Sequence, residues 1–356
     1  MNTTPYQNLP KVNLLFIGNH FSSSKKSNNV YKELPLQLNK LNWPTIITSK
    51  KEHKLLRLVD ILWTIFRHRN EFDLAIIDVF SGLAFVWAEC AAILLRILKK
   101  TYLLMLRGGN LPEYSRKHPK RVSRILKNAQ SVYSPSPYLK IELNKFRSDI
   151  GIIPNPIDTQ IYIYRKRVIA KPQIIWLRAF HEIYNPVLAV EVLGELSKTI
   201  DDMQLIMIGP DKGDGSFTQV IRTADKLGIQ EKLVLPGQIP RGEVPRWLDQ
   251  ADIFINTTNY DNTPVSVIEA MAAGLCVVST NVGGIPYLIE NWKDGLLVPP
   301  NDPISMTNAI KQILEDQILS GSLSMNAREK AEKLDWSGIL PQWENVLRNA
   351  TQAHET

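Results

Sequence analysis

The sequence predicts an α/β protein of two successive domains, each built on a parallel sheet covered by helices. Three observations predict it. Short apolar runs alternate with stretches of helical period along the whole chain. The polar and turn-forming segments that could carry chemistry fall directly after those runs. And 356 residues suit two domains of ordinary size better than one.

Taken in order, "VNLLFIG", "TIIT", "LAIIDV" and "YLLML" read as strands in the first half. "QIIWL", "QLIMIG", "KLVLPG", "IFIN", "CVVST" and "GLLVP" do so in the second. Helix-period segments separate most of them, which is the pattern of βαβ units and a parallel sheet. "GIIPNPIDTQIYIYRKRVIAKPQ" is turn-rich and then polar. It reads as the interdomain linker, near residues 155 to 172, and gives domains at 1–165 and 166–334. The longest apolar run, "GLAFVWAECAAILLRILKK" from Gly82, is interrupted by Glu89 and Arg96 and is short for a bilayer. It reads as a buried helix. The first residues show no basic region ahead of a long apolar core, so no signal peptide is expected. Two distant cysteines, Cys90 and Cys276, suggest a reducing cytosol rather than a disulfide framework.

The charge is uneven. Residues 1 to 165 carry 25 Lys and Arg against 11 Asp and Glu, a net +14, and the remainder carries a net −7. The basic residues cluster in "SSSKKSNNVYK", "SKKEHKLLR", "RILKK" and "SRKHPKRVSRILK". An anionic membrane surface, a phosphorylated acceptor and a merely solvated face are all compatible readings. Nucleic acid ranks last, because no zinc spacing and no aromatic-rich nucleic-acid motif accompanies the charge. The expected location is cytoplasmic, with the basic domain against the inner face of the plasma membrane.

Open α/β sheets bind ligands beyond the carboxyl ends of their strands. Six segments lie there: "IGNHFSSSKK", "LRGGNLPEY", "WLRAFHEIYNP", "IGPDKGDG", "INTTNYDNTP" and "STNVGGIP". The most telling stretch is "NYDNTPVSVIEAMAAGLCVVSTNVGG". Asn262 or Thr263 can cap a helix there, with Pro264 in its first turn and Gly274 at its end. The free N–H groups of Val265 and Ser266 then form an anion site. Asp261 lies just outside the helix and Glu269 about two turns inside. An acid beside a phosphate repels it, so Asp261 is expected to face sugar hydroxyls and Glu269 the two hydroxyls of a ribose. Gly283 and Gly284 let another backbone approach closely. Taken singly, the same pieces describe an ordinary capped helix, a solvated Asp and a glycine turn. Among the other candidates, His20, His53, His68, His118, His181 and His354 make no metal or triad spacing; only His181 lies in a candidate loop. Trp176 and Trp336 read as packing residues. A nucleotide-binding oxidoreductase or epimerase would fit the α/β pattern, but "IGNHFSSS" lacks the G-x-G-x-x-G that such a site uses.

The stretch resembles the donor-binding signature of retaining glycosyltransferases of the GT-B fold, most closely glycosyltransferase family 4. That signature has an acid, seven residues, a Glu, then "EAMAxGxPVV" and a GG turn. Here Asp261, Glu269, Ala270, Met271, Ala272, Gly274, Val277, Val278, Gly283 and Gly284 match it. "IIPNPID", "IIWLRAFHEIYNP", "MIGP", "DGLLVPPNDP" and "LDWSGILPQWENVL" resemble further segments of the family in the same order, so the likeness covers most of the chain. It implies two Rossmann-like domains facing a cleft, with a closing helix near 335–350 returning to the first. It implies transfer of a sugar, of hexosyltransferase type, from a nucleotide-diphosphate donor to a glycan or lipid-linked acceptor with retention at the anomeric carbon. Cell-surface polysaccharide or glycolipid synthesis is the setting implied; the alternative is an inactive nucleotide-sugar-binding or scaffold subunit.

By the same resemblance Glu269 holds the ribose, and Asp261 with the following Thr263, Val265 and Ser266 holds the transferred sugar and phosphates. Arg178 neutralises the leaving diphosphate. Asp211 and Gln238 edge the base, and Asn19, Gly108 and Gly109 lie on the acceptor side. No metal or other cofactor is implied, so arginine and helix N-termini stand in for a cation. The chain departs from the family at four places: Asp261 for Glu, Tyr184 for the phosphate-loop Lys, Arg107 for a His after the fourth strand, and Tyr287 for the Glu of "GGxxE". Arg107 is expected to supply positive charge from the facing domain.

Overall fold

A computed structural model describes residues 12–18, 30–49, 51 and 53–352. It divides the chain into two compact units. The first comprises residues 1–135, 139–153 and 340–356; the second comprises 136–138 and 154–339.

The first unit holds a six-stranded parallel sheet of β1 (Leu14–Ile17), β2 (Thr45–Ile47), β3 (Leu74–Val79), β4 (Thr101–Leu106), β5 (Ser131–Ser134) and β6 (Gly151–Ile152). Their order is β2-β1-β3-β4-β5-β6. The central strands β1 and β3 are buried at every position, as strands covered on both faces must be. The apolar run from Gly82 forms helix Leu83–Ile97, which buries Phe85, Ala88, Ala91, Ala92 and Leu95. That spacing of three and four is one helical face. Among the described residues no helix is long and apolar enough to cross a membrane. Helix Trp336–Gln352 ends the described chain. From Leu340 onward it belongs to the first unit, where Trp43 Nε1 donates to Glu344 Oε1 at 3.2 Å and Gln130 Nε2 to the Ala350 carbonyl at 2.9 Å.

The second unit holds another six-stranded parallel sheet: β7 (Gln173–Leu177), β8 (Gln204–Ile208), β9 (Leu233–Gly237), β10 (Ile253–Asn256), β11 (Cys276–Thr280) and β12 (Leu296–Val298). The order is β12-β11-β10-β7-β8-β9. Its core is two clusters, one per face of the sheet. Ile174 and Trp176, Leu205 and Met207, Ile253 and Ile255, Cys276 and Val278 point into one. Ile175, Ile206, Ile208, Phe254 and Val277 point into the other. Alternation with period two on a sheet apolar on both sides is why these strands appear in the sequence as unbroken apolar runs.

Two expectations need correction. β5 and β6 were not foreseen: "SVYS" offers only one aliphatic residue and β6 is two residues long. And the segment read as a linker is packed into the second unit. Ile157 and Tyr162 sit in its core, and Arg167 is fully buried. The Arg167 guanidinium contacts Asp252 and the carbonyls of Ala251, Ala273 and Arg165. A charged side chain that answers this many acceptors anchors a segment that composition alone describes as loose.

Candidate active site

β10 and β7 are neighbours and parallel, while β7 is the first strand of its sheet and is flanked by β8 on its other side. The order of connections therefore reverses at β7, and the loops after β7 and β10 emerge side by side at one edge. Those loops carry the candidate residues.

Arg178 follows β7 directly, and its N–H donates to the Ile208 carbonyl at 3.0 Å. The guanidinium forms an ion pair with Asp261, and both side chains are 15% exposed. It also lies over the ring of Tyr184, 4.5 Å from the centroid. Tyr184 is held there by stitching between the two loops. Asn259 N donates to Ile183 O at 2.7 Å, Thr257 Oγ1 to Tyr184 O at 2.8 Å, and Trp176 Nε1 to Thr257 Oγ1 at 2.9 Å. Asp214 fixes the same turn from its other end. Burial raises its carboxyl, but bonds from the N–H groups of Glu182 and Ser216 and from the Ser216 hydroxyl together outweigh this and hold it below the usual range. His181 caps this short 3-10 turn by accepting from Ile183 N, so its role here is structural.

Asp261 sits on a tightly held loop. Its Oδ1 accepts from Asn262 N at 2.8 Å and its carbonyl from Gly284 N at 3.0 Å. A Cβ at Gly283 would collide with the Asp261 carbonyl, and one at Gly284 with the Asn262 carbonyl. Gly283 also has φ +53. The glycine pair thus lets the turn after β11 clamp the loop after β10.

The helix that follows spans Val265–Ala272. The expected cap is corrected: Pro264, extended at φ −68 and ψ 118, is the N-cap, and no side chain caps the helix. Pro264 also biases Thr263 away from helical geometry, which delays the start. The N–H groups of Val265 and Ser266 have no partner within the helix. Around them, Thr263 Oγ1, Ser266 Oγ and Asn262 Nδ2 are buried and hydrogen-bond nothing among the described residues. Buried polar groups left so cost about 1–3 kcal/mol each, which a polar ligand at this helix start would recover. Glu269 is the fifth residue of the helix, just over one turn in rather than two. It is buried, accepts from the Tyr162 hydroxyl at 2.9 Å, and lies 3.5 Å from Arg241 Nη2.

Tyr162 and Arg241 are neighbours of Glu269 that no motif in the sequence marks. Arg241 follows β9 in "IPRGE", where no period marks it; the only available signal was its place after a strand. Asp211, exposed, accepts from Gly213 N at 2.9 Å on the loop after β8, and Gln238, also exposed, follows β9. Trp176 is fully buried against Phe180, as a packing residue. Arg107 is corrected. In the first unit its Nε donates to Asp78 Oδ1 at 2.8 Å and the side chain is 3% exposed, so Asp78 balances its charge within that unit. Gly108 packs 3.2 Å from Ser81 N at its would-be Cβ, and Gly109 follows it. Asn19 lies outside the described residues. Among the described residues no three His, Cys, Asp or Glu side chains are grouped as a metal site.

This geometry accompanies a clear likeness to known proteins. Residues 165–333 match the family model described as Glycosyl transferases group 1. The putative colanic acid biosynthesis glycosyltransferase WcaL of Salmonella typhimurium is 34% identical over 145 residues, 38% of this chain and 36% of that protein. The chain spans between about a third and about half of the length of the curated relatives it matches. Sucrose-phosphate synthase from Thermosynechococcus elongatus superposes with TM-score 0.79 at 18% identity, covering 96% of this chain and 100% of that one. HepE of Anabaena, solved with UDP-glucose, does so with TM-score 0.75 at 16% identity, covering 95% and 100%. The fold is GT-B.

Proposed function

We propose that the protein is a glycosyltransferase that moves a sugar from a nucleotide-diphosphate donor to a glycan or lipid-linked acceptor, with retention of anomeric configuration. The observation that carries the reading is the meeting of Arg178, Asp261 and an uncapped helix start at the switch point of the second sheet. The WcaL relative favours polysaccharide synthesis as the setting, and the UDP-glucose bound to the structurally similar HepE favours a nucleotide sugar as donor.

In this reading the second unit binds the donor and the first the acceptor. The ribose hydroxyls hydrogen-bond to Glu269, and the diphosphate lies against the N–H groups that open helix Val265–Ala272. The bond from the anomeric carbon to the diphosphate oxygen breaks, and its electron pair stays on that oxygen. Negative charge grows there, where Arg178 can hold two phosphate oxygens at once. The acceptor hydroxyl attacks from the same face and passes its proton to the departing phosphate. Asp261 must release Arg178 for this and take up the hydroxyls of the transferred sugar. No metal enters the scheme, because arginine and backbone N–H groups take the cation's part.

The test is a panel of nucleotide sugars, read first as thermal shift and then as turnover with and without EDTA. A midpoint rise with one donor, and slow hydrolysis of it without acceptor, are expected, with rates unchanged by EDTA. Stabilisation without any turnover across acceptors would leave a binding subunit instead.

A further inference from the structure

The first unit carries an amphipathic surface that its fold does not use. Helix Lys54–Arg67 buries Ile61 and Ile65 against the unit. Five other large apolar side chains on the same helix face outward: Leu55, Leu56, Val59, Trp63 and Phe66 are 70, 57, 64, 57 and 46% exposed. At 100° per residue these five fall within an arc of about 100°, on the side roughly opposite Ile61 and Ile65. Isolated exposed apolar residues are ordinary; five in one stripe on a single helix are not. Trp63 and Phe66 sit together at 6.4 Å between ring centroids.

The flanks are basic. Lys51 and Lys54 are exposed at the start of the helix and Arg67 at its end, while Arg69 lies over the Phe66 ring at 4.5 Å. Residues 50 to 71 carry six Lys and Arg against three Asp and Glu, a net +3. Asp60 is the one acid within the helix, half-buried beside the stripe. Aromatic and aliphatic side chains on one face, with cations at both ends, are the composition of a helix that lies in the headgroup plane of an anionic bilayer. The aliphatic and aromatic groups enter the acyl boundary while the lysine and arginine ends meet lipid phosphates.

We infer that helix Lys54–Arg67 is a membrane-docking element that seats the first unit on an anionic lipid surface through Leu55, Leu56, Val59, Trp63 and Phe66. The inference concerns a surface of the first unit and stands independently of the donor chemistry proposed for the second.

The test is flotation of the full chain with vesicles of phosphatidylglycerol and phosphatidylcholine, beside vesicles of phosphatidylcholine alone. Wild type should float with the anionic vesicles at low salt and dissociate largely at about 0.5 M salt. The triple variant Leu55→Ser, Val59→Ser, Trp63→Ser should lose about tenfold or more in partitioning. Its thermal midpoint should not fall, since the three side chains are already exposed. A second variant, Lys54→Gln with Arg67→Gln, keeps the stripe and should weaken binding to anionic vesicles only. Wild-type flotation by the triple variant overturns the inference, as does equal binding of the wild type to neutral vesicles. So does loss of self-association in the triple variant, by sedimentation velocity, while vesicle binding persists: the stripe would then be an interface between copies.

Discussion

The groups around Arg178 include a carboxylate and an aromatic ring, and each gives a test. If the guanidinium stabilises the leaving diphosphate, Arg178→Ala should lower kcat by about a hundredfold, near 3 kcal/mol, with a smaller effect on donor KM. Steady-state kinetics on the identified donor decide it, and a near-wild-type kcat would move the stabilisation elsewhere. Tyr184, in the place of the family's Lys, offers a π face rather than a charge. Tyr184→Phe should therefore stay close to wild type, while Tyr184→Ala should cost about 0.5–2 kcal/mol in turnover. Asp261 holds the same guanidinium, so a diphosphate must compete with it. Asp261→Asn should tighten nucleoside diphosphate binding by roughly tenfold, about 1.4 kcal/mol, and still lower turnover if Asp261 also holds the sugar. Calorimetry that finds weaker binding in this variant would show that the pair positions Arg178 rather than restraining it. The pairing itself was not legible in the sequence. Arg178 and Asp261 each stood out by following a strand, but nothing local joins two residues that only the β10–β7 neighbourhood brings together. Glu269 was legible through its motif, whereas its partners Tyr162 and Arg241 lie in segments whose composition reads as linker and turn.

At the scale of elements, hydrophobic period revealed ten of the twelve strands, and it failed where burial is slight. β5 has polar serines at both ends, and β6 is too short to show any period. Helix boundaries were less legible than helix existence: the start at Val265 is set by Pro264 and by the clamp from Gly283 and Gly284, which is a tertiary contact. The start of the last helix has a pH-dependent anchor. Burial raises the Asp335 carboxyl, but bonds from Ser337 N, Thr159 N and the hydroxyls of both outweigh it and bring the group to about 2. A carboxyl lowered on folding stabilises the folded state above its unfolded value, near 3.9, and that stability fades as pH falls toward about 2. With solvent screening the contribution is on the order of 1–2 kcal/mol at neutral pH. Asp335→Asn should lose it, and urea midpoints of variant and wild type should converge between about pH 4 and pH 2. A gap that stays constant over that range would mean the anchor is steric rather than charged.

At the scale of the molecule, the chain passes through the second unit at 136–138, stays in it from Pro154 and leaves it within the last helix. Leu340 onward belongs to the first unit, so that unit is completed only by the last residues of the described chain. Trp343, Leu347 and Ala350 are buried there, and Trp43 and Gln130 hydrogen-bond to the same helix. Full burial of a side chain the size of leucine is worth about 1.5–3 kcal/mol, an upper estimate that is still large beside the 5–15 kcal/mol that holds a domain folded. A chain ending at Ile339 should therefore leave the first unit unstable, while the second keeps both of its core clusters whole. Hydrogen exchange read by mass spectrometry separates the two outcomes. In the shortened chain β3 and β4 should lose protection by orders of magnitude, and β10 and β11 should retain it. The shortened chain should also keep a thermal shift with a nucleoside diphosphate, since Arg178, Asp261 and Glu269 all lie in the second unit. Equal protection of β3 and β4 in both chains would mean that the first unit's own strands and helices suffice. The last helix would then serve connection rather than stability.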